Sequence, residues 1–322
     1  MANMKDVARE ADVALGTVSR YLNGESVKKA NREAIESAIK KLGYVQNPIA
    51  KTMKTGKSMT VGVLVPGLSN MFSMRIIESV EKYLQRFGYS VIVSSSNNSE
   101  SEQAKRLRMF KNKMADGIVL MPCSENSKKI VESVGDTPVV LIDRMLDKSI
   151  FDSVTVSNRE TVYAQVSALI DSGCKRIGII EGPDSIYTAK QRRLGYEDAM
   201  REAGLESAFR ASGNYTVEAG YTIAKQLENV ELDALFVSNH ELTVGVLKAY
   251  GSLDLKKKPV LLGFDSPELG LPENSRFIMQ PVETIGTKAA ELLYGRMSGE
   301  NGVVTNVVLS LAGSAPFTKA NE

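Results

Sequence analysis

Polar side chains stand at the ends of several apolar runs of the sequence, where they could bind a small ligand. Asp143 ends the run PVVLID and precedes Arg144, Asn239 follows DALFVS, and Asp265 ends PVLLGFD. Further polar residues at such ends are Ser69, Asn70, Ser94 to Asn97, and Ser124. Because ligands of parallel sheets bind beyond the carboxyl ends of the strands, these residues predict a site of carboxylate, amide, guanidinium and hydroxyl groups.

The sequence lacks the residue patterns of metal sites and of common catalytic sites. Its two cysteines, Cys123 and Cys174, and its single histidine, His240, cannot assemble a zinc motif. No two of the 25 glycines are two residues apart, so the GxGxxG fingerprint is missing, and there is no GxSxG elbow. We therefore expect no metal and no cofactor, and an enzyme on an α/β scaffold is a disfavoured alternative.

Positive charge is concentrated near the N-terminus. The first 60 residues carry 11 Lys and Arg against 6 Asp and Glu, whereas the other 262 residues carry 29 against 32. Five lysines and no acidic residue lie between Lys40 and Lys57. This pattern is typical of a segment that meets phosphates, although a solvated basic surface would have the same composition.

The first 45 residues contain three apolar stripes at helical spacing. A short turn, Ala11-Asp12-Val13, separates the first two stripes, and Asp tolerates the left-handed backbone that such a turn requires. The stripes consist of Met4, Val7, Ala8 and Ala11, then Val18 and Leu22, then Ile35, Ala38, Ile39 and Leu42. The pattern predicts a helix-turn-helix domain of three helices.

Start and stop signals for a further short helix follow this domain. Asn47 and Pro48 suit the first positions of a helix, and Gly56 suits the position after its end. A helix of about eight residues is marginal by itself in water. We expect a linker that is helical only when another surface supports it.

The remaining sequence predicts an α/β core. Strand-like runs alternate with helical stretches, which is typical of parallel sheets covered on both faces. The runs span residues 60–66, 89–95, 116–122, 138–143, 176–182, 233–238 and 259–265. About 260 residues favour two similar doubly wound lobes. No apolar run spans a bilayer and no signal peptide is evident, so we expect a cytoplasmic protein.

Several motifs together resemble the LacI/GalR family of bacterial helix-turn-helix transcription regulators. The similarity begins with KDVAREADVALGTVSRYLNG (5 to 24) and REAIESAIKKLGYVQNPIAKTMK (32 to 54), and it continues along the whole chain. Later motifs are TVGVLVPGLSNMF (60 to 72), ADGIVLMP (115 to 122), PVVLIDR (138 to 144), RRLGYEDAM (192 to 200), FVSNHELTVGVLKA (236 to 249), LLGFDSPE (261 to 268) and QPVETIGTKAAELL (280 to 293).

The resemblance implies a domain order and a mode of action. It places a DNA-binding headpiece at 1–46, a hinge helix at 47–58 and a periplasmic-binding-protein-like core at 59–322. Within the core, it implies an N-lobe of about 60–157 and 282–310 and a C-lobe of about 158–281 and 311–322. It further implies a homodimeric repressor of a carbohydrate-utilisation operon that binds a palindromic operator and responds to a sugar-like effector.

The resemblance also implies which residues contact DNA. Arg20 would donate two hydrogen bonds to a guanine, and Leu15 would pack on a thymine methyl group. Met53 of the hinge would wedge into the minor groove. The full set of implied contacts is Leu15, Gly16, Thr17, Arg20 and Asn23 in the headpiece, and Lys51, Met53 and Lys54 in the hinge.

The effector pocket that the family implies maps onto Phe72, Ser124, Asp143, Arg192, Tyr215, Asn239 and Asp265. Departures from the family pattern lie at Ala14, where a capping Ser or Thr is usual, and at Ser157-Asn158, Gly173-Cys174, Asn239-His240 and Ala312-Gly313-Ser314. These departures leave the effector class open. Two alternatives also stay open: a regulator tuned by a phosphorylated carrier protein, and a sugar-binding receptor without gene control.

Overall fold

The computed structural model describes residues 2–45, 56–113, 115–123, 126–146, 150–252, 258–265 and 274–313. The chain divides into two compact units, Met1–Met59 and Thr60–Glu322. None of the helices in the described ranges is long and apolar enough to span a membrane.

The first unit is the predicted three-helix domain, with α1 (Met4–Glu10), α2 (Leu15–Leu22) and α3 (Lys29–Leu42). Val7, Val18 and Ile35, one from each helix, are fully buried and form the centre of its core. Burial of such side chains stabilises a fold by about 1.5 to 3 kcal/mol each. The helix-turn-helix prediction is confirmed, including a left-handed Asp12 (φ +50°) in the turn.

The described residues of the second unit form two six-stranded sheets of the same strand order. The first sheet is ordered β11-β5-β4-β3-β1-β2 and the second β12-β10-β9-β8-β6-β7. All described strand pairs are parallel except the pair β10 and β12. The strands are β1 (Thr60–Val65), β2 (Ser90–Ser95), β3 (Gly117–Leu120), β4 (Val139–Ile142), β5 (Asp152–Val156), β6 (Ile177–Glu181), β7 (Phe209–Ser212), β8 (Ala234–Val237), β9 (Val260–Phe264), β10 (Ser275–Met279), β11 (Asn306–Leu309) and β12 (Ala312–Gly313).

Helices cover both faces of each sheet. The first lobe carries α4 (Met71–Gln85), α5 (Glu100–Asn112), α6 (Ser127–Val134) and α11 (Val282–Met297); the second carries α7 (Asn158–Asp171), α8 (Tyr187–Glu202), α9 (Val217–Ala224) and α10 (His240–Tyr250). Their buried faces explain the continuous apolar strands, because a strand covered on both sides presents no residue to water. The prediction of two doubly wound lobes is confirmed.

The chain passes between the lobes three times. It crosses after β5, returns from β10 to α11, and crosses again between β11 and β12. Helix α11 packs closely on α4 at Gly286, where an added Cβ would lie 2.7 Å from the Ile76 carbonyl oxygen. These three crossovers connect the two lobes, which form one compact unit.

All seven predicted strand runs form strands, but the sequence did not indicate β5, β7, β10, β11 or β12. Strand β5 is the clearest case because DSVTV is polar yet buried throughout. Its polar groups are satisfied by distant partners: Arg296 binds the Asp152 carboxylate at 2.7 and 2.8 Å, and the Ser153 hydroxyl donates to Asn306 at 2.7 Å.

Candidate ligand cavity and nucleic-acid interface

A cavity of about 230 Å³ lies between the two lobes, at the carboxyl ends of both sheets. Six of the seven predicted effector residues line it: Phe72, Asp143, Arg192, Tyr215, Asn239 and Asp265. The seventh, Ser124, lies outside the described residues. The structure therefore brings together residues that are almost 200 positions apart in the sequence.

Asp143 and Asp265 occupy equivalent positions of the two lobes. They follow β4 and β9, and their backbone N–H groups donate to Val154 and Ile278 of the next strand, both at 2.9 Å. Both residues have left-handed backbones, with φ of +66° and +53°. Such a conformation costs roughly 1 to 2 kcal/mol for most residues and is less unfavourable for Asp. It places one carboxylate from each lobe on the cavity wall.

Arg192 makes three hydrogen bonds and one aromatic contact beside the cavity. It reaches from α8, is only 4% exposed, and donates to Asn158 Oδ1 at 2.8 Å and the Ser238 carbonyl at 2.7 Å. A longer bond of 3.4 Å joins it to Gln280, and its guanidinium lies 3.6 Å from the centre of the Phe264 ring. These bonds fix the guanidinium in one orientation.

Gln280 also fixes Asp265. Its backbone N–H donates to Asp265 Oδ1 at 3.1 Å, and its side-chain Nε2 donates to Oδ2 at 2.5 Å. His240 contacts the same residue, with Nδ1 3.2 Å from the Asp265 carbonyl oxygen. Gln280 is absent from the predicted set, because nothing in the sequence places it beside Asp265 before the pairing of β9 with β10 is known.

Glu241 links the two lobes. Asn70, which caps α4 of the first lobe, donates to Glu241 Oε1 at 2.7 Å, and Asn239, which caps α10 of the second, donates to Oε2. Glu241 is absent from the predicted set although it lies two residues after Asn239. A polar residue at a strand end was the available signal for Asn70, but its partner is 171 positions away.

Burial alters the protonation equilibria of the cavity. It raises the pKa of Asp143, and the nearby Asp265 carboxylate adds to that effect while Arg144 and Arg192 oppose it. Burial also raises the pKa of Glu241 and of the Tyr215 hydroxyl. Burial therefore disfavours the ionised forms of Asp143, Glu241 and Tyr215.

The first unit exposes one face of α2. Leu15, Gly16, Arg20 and Asn23 are exposed, whereas Thr17 is half-buried. At about 100° per residue, the four exposed residues fall within an arc of about 140°, opposite the buried Val18. Gly16 faces open space, since an added Cβ would meet no atom within 4 Å. Ala14 provides no side-chain cap for this helix, as its residue type predicts.

The predicted hinge contacts cannot be placed, because Lys51, Met53 and Lys54 lie outside the described residues. In the described part of the first unit, no acidic side chain pairs with Arg20. A second helix with an exposed Arg on its outer face has the form of a major-groove reading helix.

A helix-turn-helix unit followed by a two-lobed core with an interlobe polar cavity defines a ligand-responsive regulator of the repressor type. Two family models match the chain: "Bacterial regulatory proteins, lacI family" over residues 3–47, and "Periplasmic binding proteins and sugar binding domain of LacI family" over residues 58–310. The protein belongs to the LacI family of bacterial regulatory proteins.

Individual relatives agree with this assignment. The chain is 31% identical over 307 residues to the catabolite control protein A of Priestia megaterium, covering 92% of each chain. It is 30% identical over 314 residues to the ribose operon repressor of Escherichia coli K12, covering 92% of this chain and 94% of the relative. The crystal structure of the lac repressor dimer bound to operator and the anti-inducer ONPF has the same fold, with a TM-score of 0.86, 21% identity and 98% coverage of both chains.

Proposed function

We propose that the protein is a transcription repressor whose affinity for a palindromic operator is switched by a small sugar-like effector. One observation supports this most directly: the same chain joins a helix-turn-helix unit with an exposed reading face to a core with a polar cavity between its lobes. We further propose that it acts as a cytoplasmic homodimer and has no enzymatic activity.

Arg20 is the proposed base-reading residue. Its guanidinium can donate two hydrogen bonds to O6 and N7 of a guanine, whereas Leu15 can contact a thymine methyl group and Gly16 permits close approach. Thr17 and Asn23 are proposed to add further contacts to the DNA. Residues 47–58 are proposed as the hinge, in which Lys51 and Lys54 contact phosphates and Met53 enters the minor groove.

The proposed effector site is the interlobe cavity. Phe72 and Tyr215 supply rings that can cover the apolar face of a sugar, while Asp143, Arg192, Asn239 and Asp265 supply hydrogen-bonding groups for its hydroxyls. Ser124 is proposed as a further polar contact. Because residues of both lobes line the cavity, a ligand there would bias the arrangement of the lobes and, through it, the two hinges of a dimer.

Selection of binding sites from random DNA tests the proposal. The wild-type protein should enrich a palindrome, and Arg20→Ala should lose preference at one base pair per half-site, at a cost of about 1 to 3 kcal/mol. The exposed, salt-bridged Arg9 provides a matched control as Arg9→Ala. Equal weakening of Arg20→Ala on selected and scrambled DNA would show that Arg20 contacts only phosphate.

A further inference from the structure

The arginines of the cavity already interact with groups of the chain itself. Arg144 donates to the Pro122 carbonyl at 2.7 Å, and its Nε lies 3.6 Å from Oδ2 of Asp143. Arg144 and Asp143 are both buried, at 9% and 7% exposure. The guanidinium of Arg144 therefore favours the ionised form of Asp143, against the burial that raises the pKa of that carboxyl.

Arg192 also makes hydrogen bonds within the chain. Each of its three nitrogens donates one hydrogen bond within the protein, to Asn158, Ser238 and Gln280, and the Phe264 ring covers one face of the guanidinium. The two N–H groups that remain, one on each terminal nitrogen, are left for oxygen atoms of a ligand.

Glu241 fills the position where an anion would otherwise be attracted. Helices α4 and α10 both begin at the cavity, and helix N-termini attract negative charge. The side-chain oxygens of their caps, Asn70 and Asn239, accept from Ser73 and Leu242 at 3.1 and 3.0 Å, which orients both amide groups toward Glu241. The Glu241 carboxylate accepts from both amides.

Three carboxyl groups, those of Asp143, Glu241 and Asp265, thus line one cavity with the guanidinium groups of Arg144 and Arg192, both of which already donate to groups of the chain, and with the ring of His240. From this balance, we infer that the effector is an uncharged polyhydroxylated molecule and that phosphorylated or carboxylated sugars are excluded. Hydroxyl groups can donate hydrogen bonds to carboxylates, whereas the unprotonated oxygens of a phosphate can only accept them and carry negative charge. The inference rests on the proposed function, because it names the ligand class of the same site.

Calorimetric titration of matched sugar pairs tests the inference on the full-length protein. The pairs are D-ribose and ribose 5-phosphate, D-glucose and glucose 6-phosphate, D-galactose and galactose 1-phosphate, and D-fructose and fructose 1-phosphate. In any pair that binds, we expect the neutral sugar to bind at least tenfold more tightly than its phosphate. Tighter binding of a phosphate by the wild-type protein overturns the inference.

Charge-removing variants separate repulsion from a simple lack of space. Glu241→Gln should improve binding of the phosphorylated member relative to the neutral one by at least threefold, and Asp143→Asn should act in the same direction. Glu132→Gln removes an exposed carboxylate of α6 that does not line the cavity, and it should leave the ratio unchanged. Thermal unfolding of each variant confirms that it is folded before titration.

The outcomes distinguish this inference from the proposed function. If the protein selects a palindromic DNA site but binds no neutral sugar of the panel, the inferred ligand class is wrong and the repressor assignment stands. If it selects no DNA sequence, the proposed function fails whatever the sugars do. An unchanged ratio in both Glu241→Gln and Asp143→Asn shows that carboxylate charge does not set the selectivity.

Discussion

At the scale of single residues, Arg192 connects stability to ligand binding. Replacing it with Met keeps a long side chain but removes the donors that satisfy Asn158 Oδ1 and the Ser238 carbonyl, both buried. Unsatisfied buried polar groups cost about 1 to 3 kcal/mol each. We expect Arg192→Met to lower the free energy of unfolding of the core by about 2 to 4 kcal/mol in urea titrations. Arg201→Met, on the exposed side of the same helix, should change it by less than about 0.5 kcal/mol.

The sequence revealed some residues of the cavity and not others for a physical reason. Asp143, Asn239 and Asp265 stand at strand ends, a position that strand periodicity alone predicts. The roles of Gln280 and Glu241 depend on neighbours that only the folded chain supplies: Gln280 meets Asp265 across two strands, and Glu241 meets Asn70 across two lobes. Such pairings leave no local pattern.

At the scale of secondary-structure elements, Asp152 holds β5 against α11. Burial opposes ionisation of this carboxyl, but hydrogen bonds from Arg296 and from the Thr305 N–H outweigh burial and lower its pKa below the usual value. A lowered pKa in the folded state adds stability that is present above the unfolded-state pKa of about 3.9 and is lost as the pH falls through the folded-state value.

We therefore expect Asp152→Asn to reduce the unfolding free energy by about 1 to 3 kcal/mol at pH 7. The difference from the wild type should shrink as the pH falls below about 4, because the wild-type carboxyl then also becomes neutral. Urea titrations at pH 7, 5 and 3 measure this change, with Asp136→Asn as an exposed control. A difference that stays constant with pH would assign the effect to packing.

Helix α2 illustrates a compromise between stability and recognition. Gly16 lies within the helix and faces open space, so Gly16→Ala should stabilise the helix by about 0.5 to 1 kcal/mol. The added methyl group lies on the proposed DNA-reading face, so operator affinity should fall. Hydrogen exchange of residues 2–45 and a DNA titration measure the two effects. Stronger protection together with unchanged DNA binding would remove Gly16 from the interface.

The elements themselves were largely predictable, because apolar periodicity reports burial. Seven strands and the three helices of the first unit follow from it. Three of the five strands that it did not reveal carry polar residues. Strands β7 and β11 lie at sheet edges, where exposed residues alternate with half-buried ones. Strand β5 buries Asp152 and Ser153, whose partners are distant in the sequence. A period-based prediction finds strands that bury apolar side chains, and it misses strands that bury paired polar ones.

At the scale of the whole molecule, the uneven charge of the sequence separates two tasks. The basic first 60 residues suit contact with DNA, and the acidic remainder carries the cavity. A substitution in the cavity should therefore alter the response to ligand without altering the DNA contacts. Asp265 is the most direct test, since Asn has the same shape and can still accept the hydrogen bond from the Gln280 N–H.

Asp265→Asn should bind the selected operator within about twofold of the wild-type affinity when no sugar is present. The effect of a sugar on that affinity should fall by at least tenfold, which corresponds to about 1.4 kcal/mol of coupling, because the amide replaces an acceptor of ligand hydroxyls with a donor. Operator titrations with and without the sugar that binds most tightly measure both quantities. Loss of DNA binding without sugar would instead show that Asp265, which Gln280 holds from the next strand, maintains the fold of the core rather than its response to ligand.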